Sequence, residues 1–259
     1  MASRCGWHKI ILVSLAWLVW AGHPGVAPAA SPKLLITPEQ IDIGAFFEGT
    51  QVQITGEIPT GSQAVLEIVG GTKAEHLMRK GRRLGLWMNV GEIEVHEAPS
   101  LYLAAATDPR LLSSSGNGPA WGFAALKKRV RFSGQIQAQE KDQLFQQFLA
   151  LKESEELYDT SGKPQVISGS AQGTLLVRTN FWLPGRIQPG TYRVGLSIIS
   201  PGGKVTQTWA VLPVKAVGFP ALLASLAYQH EALYGILAVI IAIVTGYIMG
   251  LIFGGKGGH

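Results

Sequence analysis

Glu92, Glu94 and His96 occupy alternate positions in "GEIEVH". Side chains two apart on a strand project from one face, so two carboxylates and an imidazole would stand side by side. With a fourth ligand from a neighbouring strand, such a set could hold a hard or borderline metal ion. The same alternation also describes a solvated outer face with Ile93 and Val95 turned toward a core. Two basic clusters offer a second chemistry. "RKGRRLG" gathers Arg79, Lys80, Arg82 and Arg83 at an expected turn, and "LKKRVR" gathers Lys127, Lys128, Arg129 and Arg131. Guanidinium forks suit sulfate-like oxyanions. Clusters of this kind also meet anionic lipid headgroups or remain ordinary solvated surface.

Other catalytic signatures are missing from the sequence. It has no phosphate-cradling glycine loop followed by Lys and no Gly-x-Ser-x-Gly elbow; "SGSAQG" around Ser170 has the wrong order. Past the first 30 residues the histidines are His76, His96, His230 and His259, too scattered for a two-histidine zinc motif. Cys5 is the single cysteine and lies near the N-terminus, so the remainder has no disulfide, thiolate ligand or cysteine nucleophile. No catalytic residue and no cofactor is assigned from sequence, and the chain reads as a non-enzyme.

The elements that would position these residues are mostly strands. Between Leu34 and Ala105, "LLIT", "IDIGAFF", "QVQITGEI", "AVLEIVGG", "LGLWMNV", "GEIEVH" and "LYLAAA" are separated by Gly, Pro and charged turns. In "QVQITGEI", Val52 and Ile54 alternate with Gln53 and Thr55, the mark of a sheet with one wet face. The period then changes. "GPAWGFAALKKRVRF" and "EKDQLFQQFLALKESEELY" predict a helical insertion over about 118–158, with Leu144, Phe145, Phe148, Leu149 and Leu157 near 3.6 spacing. "PGTYRVGLSIISPGGKVTQTWAVLPV" predicts a hairpin turning at "SPGG". "PGTYRV" is similar to late strands of immunoglobulin-like sandwiches, where a tyrosine ties down a corner. The expected fold is mainly β: an immunoglobulin-like antiparallel β-sandwich over 30–217, with the helical insertion and one C-terminal transmembrane helix. Two small separate domains are the rival arrangement.

Both ends of the chain are apolar and account for much of the 47% hydrophobic content against 15% charged. Residues 1–29 read as a signal peptide. Arg4, His8 and Lys9 precede the apolar core "IILVSLAWLVWA", and Ala27-x-Ala29 offers a cleavage site. An uncleaved N-terminal anchor is the alternative. Without Arg4 and Lys9, 20 basic residues face 17 acidic ones, a mild excess that makes no case for nucleic acid. Residues 218–233, led by "FPALLASLAYQHEAL", predict a juxtamembrane helix running unbroken into a span at 234–253. Twenty uncharged residues at 1.5 Å each give about 30 Å, the hydrocarbon thickness. Residues 254–259, "GGKGGH", would form a cytoplasmic tail. Along the span Ala238, Ala242, Gly246, Gly250 and Gly254 recur every fourth position. Small residues on one helical face let a second helix approach closely.

"GLWMNVGEIEVHEAPSLYLAAATDP", "GRIQPGTYRV" and "VKAVGFPALLASLAYQHEALYGILA", with the glycine-bearing span, resemble the Alph_Pro_TM family of transmembrane proteins over most of the chain past the signal. The resemblance implies a signal peptide, an exported mostly-β region and a C-terminal anchor. It also implies association with permeases similar to the sulfite-exporter type, and it carries no catalytic residues. The expected protein is thus a single-pass protein of a bacterial inner membrane, with its bulk in the periplasm and its C-terminus in the cytoplasm. Its expected partners are the bilayer and another transmembrane helix, either its own copy or a multi-span permease, and its expected role is accessory to transport. An oxyanion-binding periplasmic sensor or delivery protein is the first alternative. A metal-dependent enzyme built on Glu92, Glu94 and His96 is the second.

Overall fold

The computed structural model describes residues 33–83, 85–113, 120–134, 140–168 and 173–254. The expected signal peptide, and the tail beyond Gly254, lie outside the described residues. Strands β1 (Leu34–Thr37), β3 (Gly49–Pro59), β11 (Thr174–Pro184) and β10 (Gln165–Ser168) form a four-stranded antiparallel sheet in the order β1-β3-β11-β10. A six-stranded sheet runs β2 (Ile41–Ile43), β13 (Val205–Ala216), β12 (Gly190–Ile199), β4 (Gln63–Val69), β7 (Tyr102–Ala106), β9 (Tyr158–Gly162). Its two outermost pairs, β2/β13 and β7/β9, are parallel. A third sheet joins β5 (Glu75–Arg83), β6 (Leu86–His96) and β8 (Arg131–Gly134).

The alternation in β3 buries Val52, Ile54 and Ile58 and turns the residues between them outward. A Cβ added to Gly56 would stand 2.7 Å from Leu196 Cδ2, so the four- and six-stranded sheets meet face to face at that point. Strand β4 is buried on both faces from Ala64 to Val69. Leu66 pairs with Leu196 and faces the other sheet, whereas Val65 and Glu67 face the opposite way, where the helical insertion covers them. The order β1-β3-β11-β10 opposite β13-β12-β4 is the A-B-E-D and G-F-C order of immunoglobulin-like domains. Tyr192, near the start of β12, donates its hydroxyl to the Gln188 carbonyl at 2.8 Å, the corner bond such domains place there. Val194, two residues on, is fully buried where antibody domains carry a disulfide cysteine.

Register defines two ends of the six-stranded sheet. Val214 pairs with Gly190, Arg193 with Val69, and Val69 with Tyr102. The end of β13, the start of β12, the end of β4 and the start of β7 therefore share one pole. The Val217 N–H bonds to the Ile43 carbonyl at 2.9 Å at that pole, just before the chain leaves the sheet. Ile199, Val205, Gln63 and Ala106 mark the opposite pole.

The insertion differs from the expected pair of helices. Short α1 (Arg110–Ser113) precedes α2 (Gly122–Arg129), and α2 stops at Val130, whose backbone is extended (φ −65°, ψ 130°). Residues 131–134 become β8 because the free edge of β6 supplies ladder partners, which overrides local helical preference. Helix α3 (Lys141–Ser154) ends before Tyr158, which begins β9 instead of closing the helix. "LGLWMNV" and "GEIEVH" are not two strands: β6 continues through Gly91, held along its length by β5. The C-terminal helix is also interrupted. Helix α4 (Phe219–Gln229) and helix α5 (Glu231–Gly254) are separated by His230, at φ −135° and ψ 55°. The polar run Gln229–His230–Glu231 is where water can take up the backbone groups that a helix break leaves unpaired.

Candidate functional site

Strand β6 presents Glu92, Glu94 and His96 on one face while Ile93 and Val95 are buried, as the alternation predicts. The adjacent strand adds a residue that sequence reasoning missed. His76 on β5 pairs directly with Glu94. Its Nδ1 lies 2.8 Å from Glu92 Oε1, and its Nε2 lies 3.8 Å from Glu94 Oε1. His96 Nε2 lies 3.4 Å from Glu94 Oε2 and 2.8 Å from Ser133 Oγ. The groups form a chain of pairs across an open depression of about 210 Å³. Among the described residues no group of three or more His, Cys, Asp or Glu is arranged to hold a metal ion. Exposed pairs of this kind contribute at most about 1 kcal/mol each.

The basic clusters stand apart. Arg79, Lys80, Arg82 and Arg83 lie within β5 and not in a turn; the turn comes later, at Gly85 with φ +85°. The hairpin continues past the charges because Lys80 and Arg82 pair with Asn89 and Trp87 across the ladder. Lys127, Lys128 and Arg129 close α2, and Arg131 opens β8. Lys127 Nζ is paired with Asp142 at 2.9 Å, and Arg131 Nε lies 3.7 Å from Glu97. Arg131 pairs with His96 and Arg82 with Trp87. Those two rungs lie about 30 Å apart along β6 at strand rise, too far for one small oxyanion to touch both clusters.

Two buried polar features hold the insertion to the sheets. The Tyr102 hydroxyl donates to Glu67 Oε1 at 2.5 Å and accepts the Gly122 N–H at 2.8 Å. Gly122 has φ +68°, and a Cβ there would stand 2.4 Å from the Leu112 carbonyl oxygen, so this close approach requires glycine. Burial pushes the Glu67 carboxyl above its ordinary value, against the smaller pull of the Tyr102 bond and of Arg129. Burial and the neighbouring Glu67 charge likewise push the Tyr102 phenol up. Next to this clasp Trp121 Nε1 donates to Ser197 Oγ at 3.2 Å. Farther along, buried Lys152 on α3 holds Glu75 at the root of β5 with contacts of 2.7 and 2.9 Å. A groove of about 470 Å³ between α3 and the third sheet is lined by Leu77, Ile93, Phe132, Leu144 and Phe148, with Lys80 and Glu140 also on its wall. Only the 3.6 spacing of α3 hinted at its packing; Glu67 sits inside an apolar strand with no local signal of its role.

Helix α5 is uncovered by the other described residues. Glu231–Phe253 is long and apolar enough to cross a membrane, and none of its apolar window is buried. Ala238, Ala242, Gly246, Gly250 and Gly254 form a stripe of i, i+4 neighbours that winds around the helix by about 40° per step, with Gly246 and Gly250 side by side at its centre. A Cβ at Gly246 or Gly250 would meet nothing within 4 Å.

Among the described residues a mainly β region in three sheets is followed by one apolar C-terminal helix of membrane-crossing length, the architecture of a β region carried on a membrane helix. The family model described as "Putative transmembrane protein (Alph_Pro_TM)" matches residues 33–254, and the chain belongs to this family. Among solved structures the chain is similar to murine CRIg, with 10% identity over 72% of this chain and 98% of that one, at a TM-score of 0.24. No curated protein matches the sequence.

Proposed function

We propose that this protein is a non-enzymatic accessory subunit of a membrane complex, tethered by α5 and docked through the small-residue face of that helix. The carrying observation is that at Gly246 and Gly250 an added Cβ would meet none of the described residues within 4 Å. In lipid, association between helices depends on close packing more than on burial of apolar area, and glycine-lined faces permit the closest approach. On this reading the β region is periplasmic, the C-terminus is cytoplasmic and the membrane is a bacterial inner membrane. The partner helix belongs to a transport complex, a permease similar to the sulfite-exporter type, in keeping with what the family resemblance implies. The exposed His–Glu pairs and the acid-paired Lys127 and Arg131 support a surface role over chemistry at a closed site.

Chemical cross-linking in the native membrane, followed by isolation in mild detergent, tests this. The expected result is a discrete cross-linked species that disappears in the Gly246→Leu/Gly250→Leu double variant, while the β region keeps its melting behaviour. A chain that is monomeric in both forms and carries no second polypeptide overturns the proposal.

A further inference from the structure

The β5–β6 hairpin is built unlike the rest of the molecule. It leaves β4 after Val69 and returns to β7 at Tyr102, and these residues pair with each other. Its root is therefore at the pole from which β13 delivers the chain to α4 and α5. From Glu75 to Arg83 it extends about 27 Å at strand rise. The third strand β8 supports only Ile93–His96, so the distal rungs from Lys80/Asn89 to Arg83/Leu86 are a two-stranded ribbon. Such ribbons are marginal in water. This one nevertheless exposes Leu86 at 69% and Trp87 at 74%, with Met88 and Met78 also open to solvent. Consecutive residues alternate faces, so both faces of the tip are apolar.

Charge is segregated along the same hairpin. Glu75, His76, Glu92, Glu94 and His96 lie toward the root, whereas Arg79–Gly91 holds four basic residues and no acidic one. Lys80 and Arg82 are open to solvent next to the apolar tip. A second apolar point lies at the same pole: Phe46, 97% exposed, follows Ile43 in the loop beside Val217. Aromatic and aliphatic side chains ringed by Lys and Arg match the headgroup layer, where rings sit at the acyl boundary and cations meet lipid phosphates.

We infer that the tip of this hairpin, Leu86–Met88 with Lys80 and Arg82, rests in the headgroup layer of the anionic bilayer that α5 crosses. The inference rests on α5 being a membrane span. The tether favours lipid over a soluble partner, because it holds the bilayer permanently next to the pole where the hairpin is rooted. Two attachment points fix the orientation of the β region above the membrane better than one helix can.

The test uses the full chain in nanodiscs of neutral lipid with or without anionic phosphatidylglycerol, each prepared with and without brominated acyl chains. Subtracting the emission of Trp87→Phe from that of the unsubstituted chain isolates Trp87. The expected result is quenching of Trp87 by brominated lipid in the anionic discs, falling as salt rises. Lys80→Gln/Arg82→Gln should lower the ratio of lipid-bound to free tip by roughly thirtyfold, about fivefold for each charge. Unquenched Trp87 with water-like emission, in discs that have taken up the chain, overturns the contact. Trp87 shielded from water yet unquenched by brominated lipid also overturns it, in favour of a protein occupant. Failure of the chain to enter discs at all refutes the span, a separate outcome.

Discussion

The two poles of the β region solve the same problem, ending strands, with opposite materials. Away from α5, the described turns are small and polar and close on themselves. Gly203 N–H bonds to Ser200 O at 2.8 Å, Ser200 N–H to Lys204 O at 3.0 Å, and Ser62 N–H to Pro59 O at 3.1 Å. At the anchor pole the chain instead places Phe46, the root of the Trp87 hairpin and the unburied helix α4. Strand-end turns belong in water, and the far pole obeys that rule. The anchor pole departs from it in the direction a lipid surface would favour. Sheets alone would give two equivalent ends; the tether makes them different surroundings.

Leu196→Ala should have the largest effect on this comparison. Leu196 is fully buried between the two main sheets against Gly56, so truncation should cost about 3 kcal/mol. Chemical denaturation of the full chain in detergent should show both poles losing structure together. Separate transitions would mean that the poles do not share one core. Lys152→Met should cost about 2 kcal/mol, since it strands the three-quarters-buried Glu75 without its partner. Here the effect should be local: faster amide exchange at the hairpin root and in α3, with the Ser200–Lys204 turn unchanged. Equal loosening at the far turn would erase the distinction between the poles.

The smallest effect should be that of Glu67→Gln, and it should depend on pH. Burial holds the folded carboxyl above its ordinary value, so the folded chain binds this proton more tightly than the unfolded chain does. The resulting stability is complete below the unfolded value and is lost as pH rises through the folded one. Gln keeps an acceptor for the Tyr102 hydroxyl and removes the ionisation. The variant should therefore gain on the unsubstituted protein toward neutral pH, and the gap should narrow toward acid in melts between about pH 4 and pH 8. A gap independent of pH would mean that Glu67 binds its proton equally well in the folded and the unfolded chain.

Much of the fold was legible because it was periodic. Val52–Ile54 alternation, the "SPGG" hairpin and the uncharged span each carry their signal within a few residues. Tyr192 was legible as a corner residue from "PGTYRV", and Glu92, Glu94 and His96 as a shared face. His76 was not, since only the pairing of β5 with β6 brings it to Glu94. Residues 131–134 read as helix because local preference cannot register the free edge of β6, whose His96 pairs with Arg131 from a distant part of the chain. The basic run "RKGRR" read as a turn for a similar reason: charge density suggests exposure, and exposure is equally available on a two-stranded ribbon.

By itself the sequence determined the apolar span, the small-residue stripe on it and the mainly β character of what precedes it. These depend on composition and spacing along one element, which physics reads locally. Tertiary structure alone decided that Glu67 is buried, that Lys152 reaches the hairpin root, and that this root and Phe46 share the pole next to α5. Those relations are set by strand register, which joins residues far apart in the chain and leaves no trace in any single stretch of it.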